Sequence, residues 1–239
     1  DESLHRITKF DRDGNAVSMW GEKGSGEGQF DQPSGLLVQG DTILVVDSRN
    51  NRVQRYSLDG EFISQWGSPG TGDGEFNLPW GIGEDSAGNV YIADWRNDRI
   101  QKFTSEGQHL ATFGESGRGE GQLDRPADVA VDSEGNIYVA DWGNQRLQVF
   151  DSDWNFLDTQ RGEAGLNPWA VEYLSSQDDE RAARESFVPA YEPDTDDPHE
   201  ISARMEPYLW DPAAVELDSD GRVYVVETGR HRFQIFERI

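Results

Sequence analysis

Val139-Ala140-Asp141-Trp142-Gly143-Asn144-Gln145-Arg146-Leu147-Gln148-Val149-Phe150 holds two short apolar runs around a polar turn. Ile137-Tyr138-Val139-Ala140 is rich in β-formers, and Leu147-Gln148-Val149-Phe150 alternates apolar and polar as a half-buried strand does. Upstream, Pro126 opens another run, Asp128-Val129-Ala130-Val131-Asp132. Ser133-Glu134-Gly135-Asn136 then supplies the residues that tolerate positive φ in a hairpin turn. Downstream, Asp151 to Asn155 turns the chain and Phe156-Leu157 begins a fourth run. Four antiparallel strands in roughly 45 residues match one blade of a β-propeller.

The same order recurs over Phe30–Gly67 and Phe76–Gly114. An acidic residue followed five positions later by arginine marks each copy: Asp1/Arg6, Asp47/Arg52, Asp94/Arg99, Asp141/Arg146 and Glu227/Arg232. The middle three pairs stand 47 residues apart, which means one supersecondary unit repeated. Glycine-rich links join the units: Gly21-Glu-Lys-Gly-Ser-Gly-Glu-Gly28, Gly67-Ser-Pro-Gly-Thr-Gly-Asp-Gly74 and Gly114-Glu-Ser-Gly-Arg-Gly-Glu-Gly121. They lack the Lys-Ser/Thr of a phosphate loop and join strand to strand, so they read as flexible inter-blade loops.

Between Gly162 and Trp210 the acidic–arginine beat is absent. Strand-opening prolines nevertheless continue at Pro33, Pro79, Pro126, Pro168 and Pro212, spaced 46, 47, 42 and 44. Trp169-Ala170-Val171-Glu172-Tyr173 reads as a first strand, Gln177 to Ser186 as a short helix, and Asp194 to Pro198 as an acidic loop. The expectation is one all-β domain over 1–239, a six-bladed β-propeller of four-stranded antiparallel blades whose N-terminal segment is missing. Its blades fall at about 1–29 (partial), 30–75, 76–122, 123–165, 166–209 (degenerate, with helix and acidic loop) and 210–239 (partial). A five-bladed ring, closed by Ala16–Trp20 joining the last blade, is the alternative.

Composition narrows the partners. The chain has 239 residues, 21 basic against 46 acidic, for a net charge of -25. Such a surface repels phosphate backbones and disfavours nucleic acid. Cysteine is absent, so no disulfide or thiolate metal site exists. No apolar run reaches the roughly 18 residues of a membrane-spanning helix. The chain opens at Asp1 without methionine, which leaves targeting and compartment unassigned. A monomeric propeller is expected.

The pattern proline–strand–turn–strand–Asp-x-x-Asn-x-Arg–strand closely resembles the NHL repeat. Val139–Phe150 and Ile92-Ala93-Asp94-Trp95-Arg96-Asn97-Asp98-Arg99-Ile100-Gln101-Lys102-Phe103 carry it best, and His5-Arg6-Ile7 and His231-Arg232-Phe233 show a variant in part. The resemblance implies a six-bladed propeller of the TolB-like kind. It implies little about activity, because such propellers serve as binding scaffolds, lyases and lactonases.

The candidate sites separate on physical grounds. Asp47/Arg52, Asp94/Arg99, Asp141/Arg146 and Glu227/Arg232 each span a hairpin turn, and their recurrence marks structural clamps. Asp11-Arg-Asp13-Gly14-Asn15 and Asp218-Ser-Asp220-Gly221 resemble the start of a calcium loop but lack its distant glutamate, so they read as turns. The resemblance suggests zinc held by histidines in lyases, or calcium held by Glu, Asn and Asp near the axis in lactonases. His5, His109, His199 and His231 do not map onto the first set. The residues after the opening prolines, Ser34, Trp80, Ala127, Trp169 and Ala213, are poor ligands for the second, with Asp128 the only carboxylate immediately beyond. No cofactor is therefore assigned; Ca2+ is unsupported. The tryptophans point to binding. Trp80 and Trp169 follow opening prolines, Trp95 and Trp142 follow repeat aspartates, and antiparallel pairing gathers all four on one face with Arg96 and Asp128. Flat aromatics beside polar groups suit a protein segment or a saccharide. The expected function is a non-catalytic binding propeller, with a metal-dependent hydrolase or lyase in the channel as the alternative.

Overall fold

The computed structural model describes residues 1–162, 168–185, 195–205 and 207–237, with backbone alone at 168–171 and 183–185. A hairpin comes first, β1 (Ile7–Phe10) with β2 (Ala16–Trp20). Blade 1 is β3 (Pro33–Gln39), β4 (Thr42–Asp47), β5 (Arg52–Ser57) and β6 (Phe62–Trp66). A two-residue parallel pair, β7 (Ser68–Pro69) with β8 (Glu75–Phe76), closes the link that follows. Blade 2 is β9 (Pro79–Glu84), β10 (Val90–Asp94), β11 (Arg99–Phe103) and β12 (His109–Phe113). Blade 3 is β13 (Pro126–Val131), β14 (Ile137–Asp141), β15 (Arg146–Phe150) and β16 (Phe156–Gln160). Three helices follow: α1 (Pro168–Ser175), α2 (Asp178–Glu185) and α3 (Pro198–Arg204). Blade 4 has three strands, β17 (Pro212–Leu217), β18 (Val223–Glu227) and β19 (Arg232–Phe236).

Every pairing within a blade is antiparallel, and each repeat aspartate lies opposite its arginine, as in Asp141↔Arg146. Apolar residues on facing sheets make the core. Ala130, Tyr138, Ala140, Leu147 and Val149 of blade 3 pack against Val215, Val223 and Val225 of blade 4. Tyr91, Ala93 and Ile100 of blade 2 likewise meet Val129, Ile137 and Val139 of blade 3. The hairpin covers blade 1 through Ile7 and Trp20, set against Phe30, Ile43, Val45 and Tyr56.

The described strands form four blades, so the expected six-bladed ring and its five-bladed alternative are both overturned. Two readings caused the miscount. Residues 1–29 supply a two-stranded hairpin and no blade. Residues 166–209 supply helices and, among the described residues, no strand; Trp169–Tyr173 lies within α1. Pro168 opens that helix, where its fixed φ and missing N–H cost nothing. Blade 4 packs directly on blade 3, and no blade stands between them.

The helical segment occupies the place of a glycine-rich link. Gly21 ends the hairpin at φ 98, Gly67 and Gly114 end blades 1 and 2 at φ 97 and 89, and Gly162 repeats this after blade 3 at φ 100. Phe30, Phe76 and Leu123 end the three links, fully buried, and Leu209 holds that position before blade 4 with no exposure. A Cβ on Gly162 would stand 2.8 Å from the Leu209 nitrogen, so the two ends of the insertion meet as tightly as the ends of an ordinary link.

Candidate functional site

The repeat carboxylates are the hubs of a buried network. Asp141 Oδ2 accepts from Arg146 Nε at 2.8 Å, Asn144 Nδ2 at 2.8 Å and Gln148 Nε2 at 3.1 Å, while Oδ1 accepts the Asp124 N–H at 2.8 Å. The arginine then donates through Nη2 to the carbonyls of Gly119 and Gln122, both at 2.8 Å. Asp47/Arg52 and Asp94/Arg99 repeat the arrangement, with Nε–Oδ2 distances of 2.8 Å in each. Glu227 takes the role in blade 4, with Arg232 Nε at 2.7 Å. Burial pushes the Asp141 carboxyl up to about 6, opposed by its four donors. The links are therefore held by Asn, Arg and Gln side chains rather than being flexible loops. Asp1/Arg6 departs from the pattern: the Asp1 carboxylate accepts the Leu4 N–H, and Arg6 Nε is buried without a hydrogen-bond partner.

Just beyond each repeat aspartate the chain turns, and there the tryptophans gather. Trp95 opens a short 3-10 turn that ends in the left-handed Asp98, and Trp142 opens the matching turn in blade 3. Trp80 follows Pro79, which pairs with Asp94. The ring centroids run Trp80–Trp95 at 6.5 Å and Trp95–Trp142 at 6.0 Å, with interplanar angles of 40° and 56°. The three indoles line an apolar cavity of about 250 Å³ with Ala127, Ala213 and Thr228. A second cavity, about 420 Å³, adjoins it across Trp95 and is lined by Asn77, Arg96, Asp98, Asp124 and Arg125. The Arg96 and Arg125 guanidiniums stand 5.7 and 5.5 Å from the centre of the Trp95 ring, and Arg125 is also 5.9 Å from Trp142. Trp80, Trp95, Trp142 and Arg96 are thus brought together.

Arg125 was not foreseen. It sits before an opening proline, in the left-handed region at φ 52, as do Gln32, Leu78 and Asp211 in the other blades. That conformation is costly for a non-glycine residue and is held by one hydrogen bond per junction. The Arg125 N–H donates to Asp98 Oδ1 at 2.8 Å; those of Gln32, Leu78 and Asp211 donate to His5 Nδ1, Asn51 Oδ1 and Gln145 Oε1. The signal in the sequence was a cation at a position where the sister repeats carry Gln, Leu or Asp.

Two other expected members stand apart. The Trp169 backbone is helical, and its side chain lies outside the described residues. Asp128 lies beside the propeller axis rather than in the tryptophan row. Its Oδ2 accepts the Val215 N–H at 3.1 Å, and the Val129 and Ile82 backbones favour its charged form. It thereby ties β13 to β17. Gly81 leaves room for it, since a Cβ there would meet Asp128 Oδ1 at 2.1 Å. The residue is half-buried, and desolvation of its carboxyl by the surrounding protein, with Glu216 nearby, pushes it up to about 7.

The insertion is fastened close to this face. Trp210 Nε1 donates to His199 Nε2 at 3.0 Å, the Arg230 guanidinium lies 5.3 Å from the Trp210 ring and bonds to the Met205 carbonyl, and Arg118 reaches the Asp196 carbonyl. The Asp11 and Asp218 loops are Asx turns: each Oδ1 accepts two N–H groups from its own turn. Among the described residues no three His, Asp or Glu side chains converge as a metal site.

The NHL repeat model matches residues 30–56, 76–103, 123–150 and 209–236. These four copies are the four blades. No curated protein sequence matches the chain. Among solved structures, a catalytically inactive virginiamycin B lyase from Staphylococcus aureus with quinupristin superposes at TM-score 0.58 and 12% identity over 99% of this chain. A streptogramin B lyase gives 0.56 and 15% over 99%, and a nidogen/laminin complex 0.57 and 16% over 95%. The chain spans 64%, 63% and 65% of those three. At such identities the likeness is one of fold. The chain is a β-propeller, and an NHL repeat is found in each of its four blades.

Proposed function

We propose that this is a non-catalytic binding propeller, recognising a protein segment or a saccharide on the face formed by Trp80, Trp95, Trp142, Arg96 and Arg125. The observation that carries the reading is the row of three indoles over an apolar cavity, flanked by two guanidiniums. Aromatic and arginine side chains in a concave patch are the composition of interaction hot spots. A nidogen/laminin complex among the fold neighbours is in keeping with protein recognition by such a scaffold.

The alternative, a metal-dependent hydrolase or lyase, draws on fold likeness to the lyases. The axial carboxylate it would use, Asp128, is already engaged by the Val215 N–H, and this favours the binding reading. Trp80→Ala combined with Trp142→Ala tests that reading. Ligand capture should be abolished while the thermal unfolding midpoint stays within a few degrees. Undiminished capture by the folded double variant would place the site elsewhere.

A further inference from the structure

We infer that the tryptophan face takes an acidic peptide: an extended segment with two apolar side chains two residues apart and an Asp or Glu within the same stretch. This rests on the binding reading above and names its partner.

Spacing is the first argument. An extended chain rises about 3.3 Å per residue, so alternate side chains on one side stand about 6.6 Å apart. The indole centroids step by 6.5 and 6.0 Å along the row. The rings are mutually tilted by 40° and 56°, which makes separate clefts for side chains rather than one flat shelf for a sugar ring.

Charge is the second. The chain carries a net -25, yet two exposed guanidiniums converge on the single ring of Trp95. Their local compensation is incomplete. Asp98 Oδ1 accepts the Arg125 backbone N–H, and Asp124 Oδ1 is 3.8 Å from Arg125 Nε. Among the described residues no carboxylate stands within 4.0 Å of the Arg96 guanidinium. Asp98 and Asp124 also line the 420 Å³ cavity and offset Arg125, so the place for an incoming anion is beside the Arg96 guanidinium. The guanidinium fork matches a carboxylate in geometry as well as in sign. A neutral saccharide would use the indoles and leave both cations without a role.

The experiment is selection from a displayed library of random hexapeptides on the whole chain. Retained sequences are then made as end-capped peptides and titrated against the parent, Arg96→Gln/Arg125→Gln and Trp80→Ala/Trp142→Ala. Retained peptides should carry Asp or Glu within one or two residues of aromatic or aliphatic side chains. Losing both guanidiniums should weaken binding by tenfold or more, because each removes a charge-assisted bond to the peptide carboxylate. Raising salt from 0.05 to about 0.5 M should weaken the parent in the same direction. Neutral or basic peptides, arginine-independent affinity, or no retained peptide would overturn the acidic-peptide inference. Arginine-independent binding that still needs the tryptophans would leave the binding face standing, whereas binding independent of both would remove it too. Neutral oligosaccharides bound through the tryptophans, with the arginine variant unaffected, would likewise sink the inference and keep the face.

Discussion

Gln145 and Asp211 grip each other at both ends. The Asp211 N–H donates to Gln145 Oε1 at 2.7 Å, and Gln145 Nε2 reaches Asp211 Oδ1 at 3.3 Å, across 66 residues of sequence. This contact joins blade 3 to blade 4 and passes over the whole helical insertion. Gln145 is buried, so removing its side chain leaves an N–H without its acceptor. Gln145→Ala should cost about 1–3 kcal/mol in urea unfolding. A change below about 0.5 kcal/mol would mean the junction is held by apolar packing alone.

Replacing residues 163–208 with a copy of the link Glu115–Gln122 should leave the propeller folded. Gly162 and Leu209 already stand as Gly114 and Leu123 do, and the grafted carbonyls fall where Arg232 and Gln234 need acceptors. The variant should keep its β-type circular dichroism and one cooperative unfolding transition. Collapse to an aggregating chain would show that the insertion is integral to the fold.

The aspartate–arginine clamps predict an ordered series. Arg146→Ala removes a cation from a buried carboxylate, and breaking such a pair costs about 3–5 kcal/mol. Arg146→Lys restores the charge but not the fork that reaches Gly119 and Gln122, so it should recover only part. Denaturation midpoints should rank parent, lysine, alanine; equality of lysine and parent would assign the arginine a purely coulombic role.

Asp128 gives the pH dependence a sign. Its carboxyl moves from 3.8 to about 7 in the folded chain, so folding favours the protonated form. Its contribution is fully present below pH 3.8, declines above it, and is lost as pH rises through 7. Asn at this position stays neutral and still offers an oxygen to the Val215 N–H. The melting temperature of Asp128→Asn relative to the parent should therefore climb between pH 5 and pH 8. A constant difference across that range would mean the site does not titrate there.

The strands, their turns and the clamps were legible because each rests on local chemistry: alternation, Gly and Asn at positive φ, and an acid opposite an arginine. The number of blades was not. Proline marks the start of a strand and also the first turn of a helix, so Pro168 kept the spacing while changing its meaning. The apolar residue three positions before the proline, seen at Phe30, Phe76, Leu123 and Leu209, separates the two cases, and Pro168 has Gly165 there. Trp80, Trp95, Trp142 and Arg96 could be gathered from register alone. Arg125 could not, because its placement depends on a left-handed backbone fixed by a side chain from the preceding blade.

That last arrangement sets the grain along which the molecule can be cut. At each junction the acceptor, His5, Asn51, Asp98 or Gln145, belongs to one sheet and the strained N–H it holds belongs to the next. A module cut at the buried residue that ends each link, such as 76–122, leaves the Asp98 acceptor idle and the Leu78 N–H unheld. A module cut inside the second strand, so that it keeps its turn residue together with the next proline, carries a complete junction. Repeats of this chain should therefore be transplantable between propellers only in frames that keep each turn acceptor with the residue before the next proline, so that the coupling between neighbours travels intact.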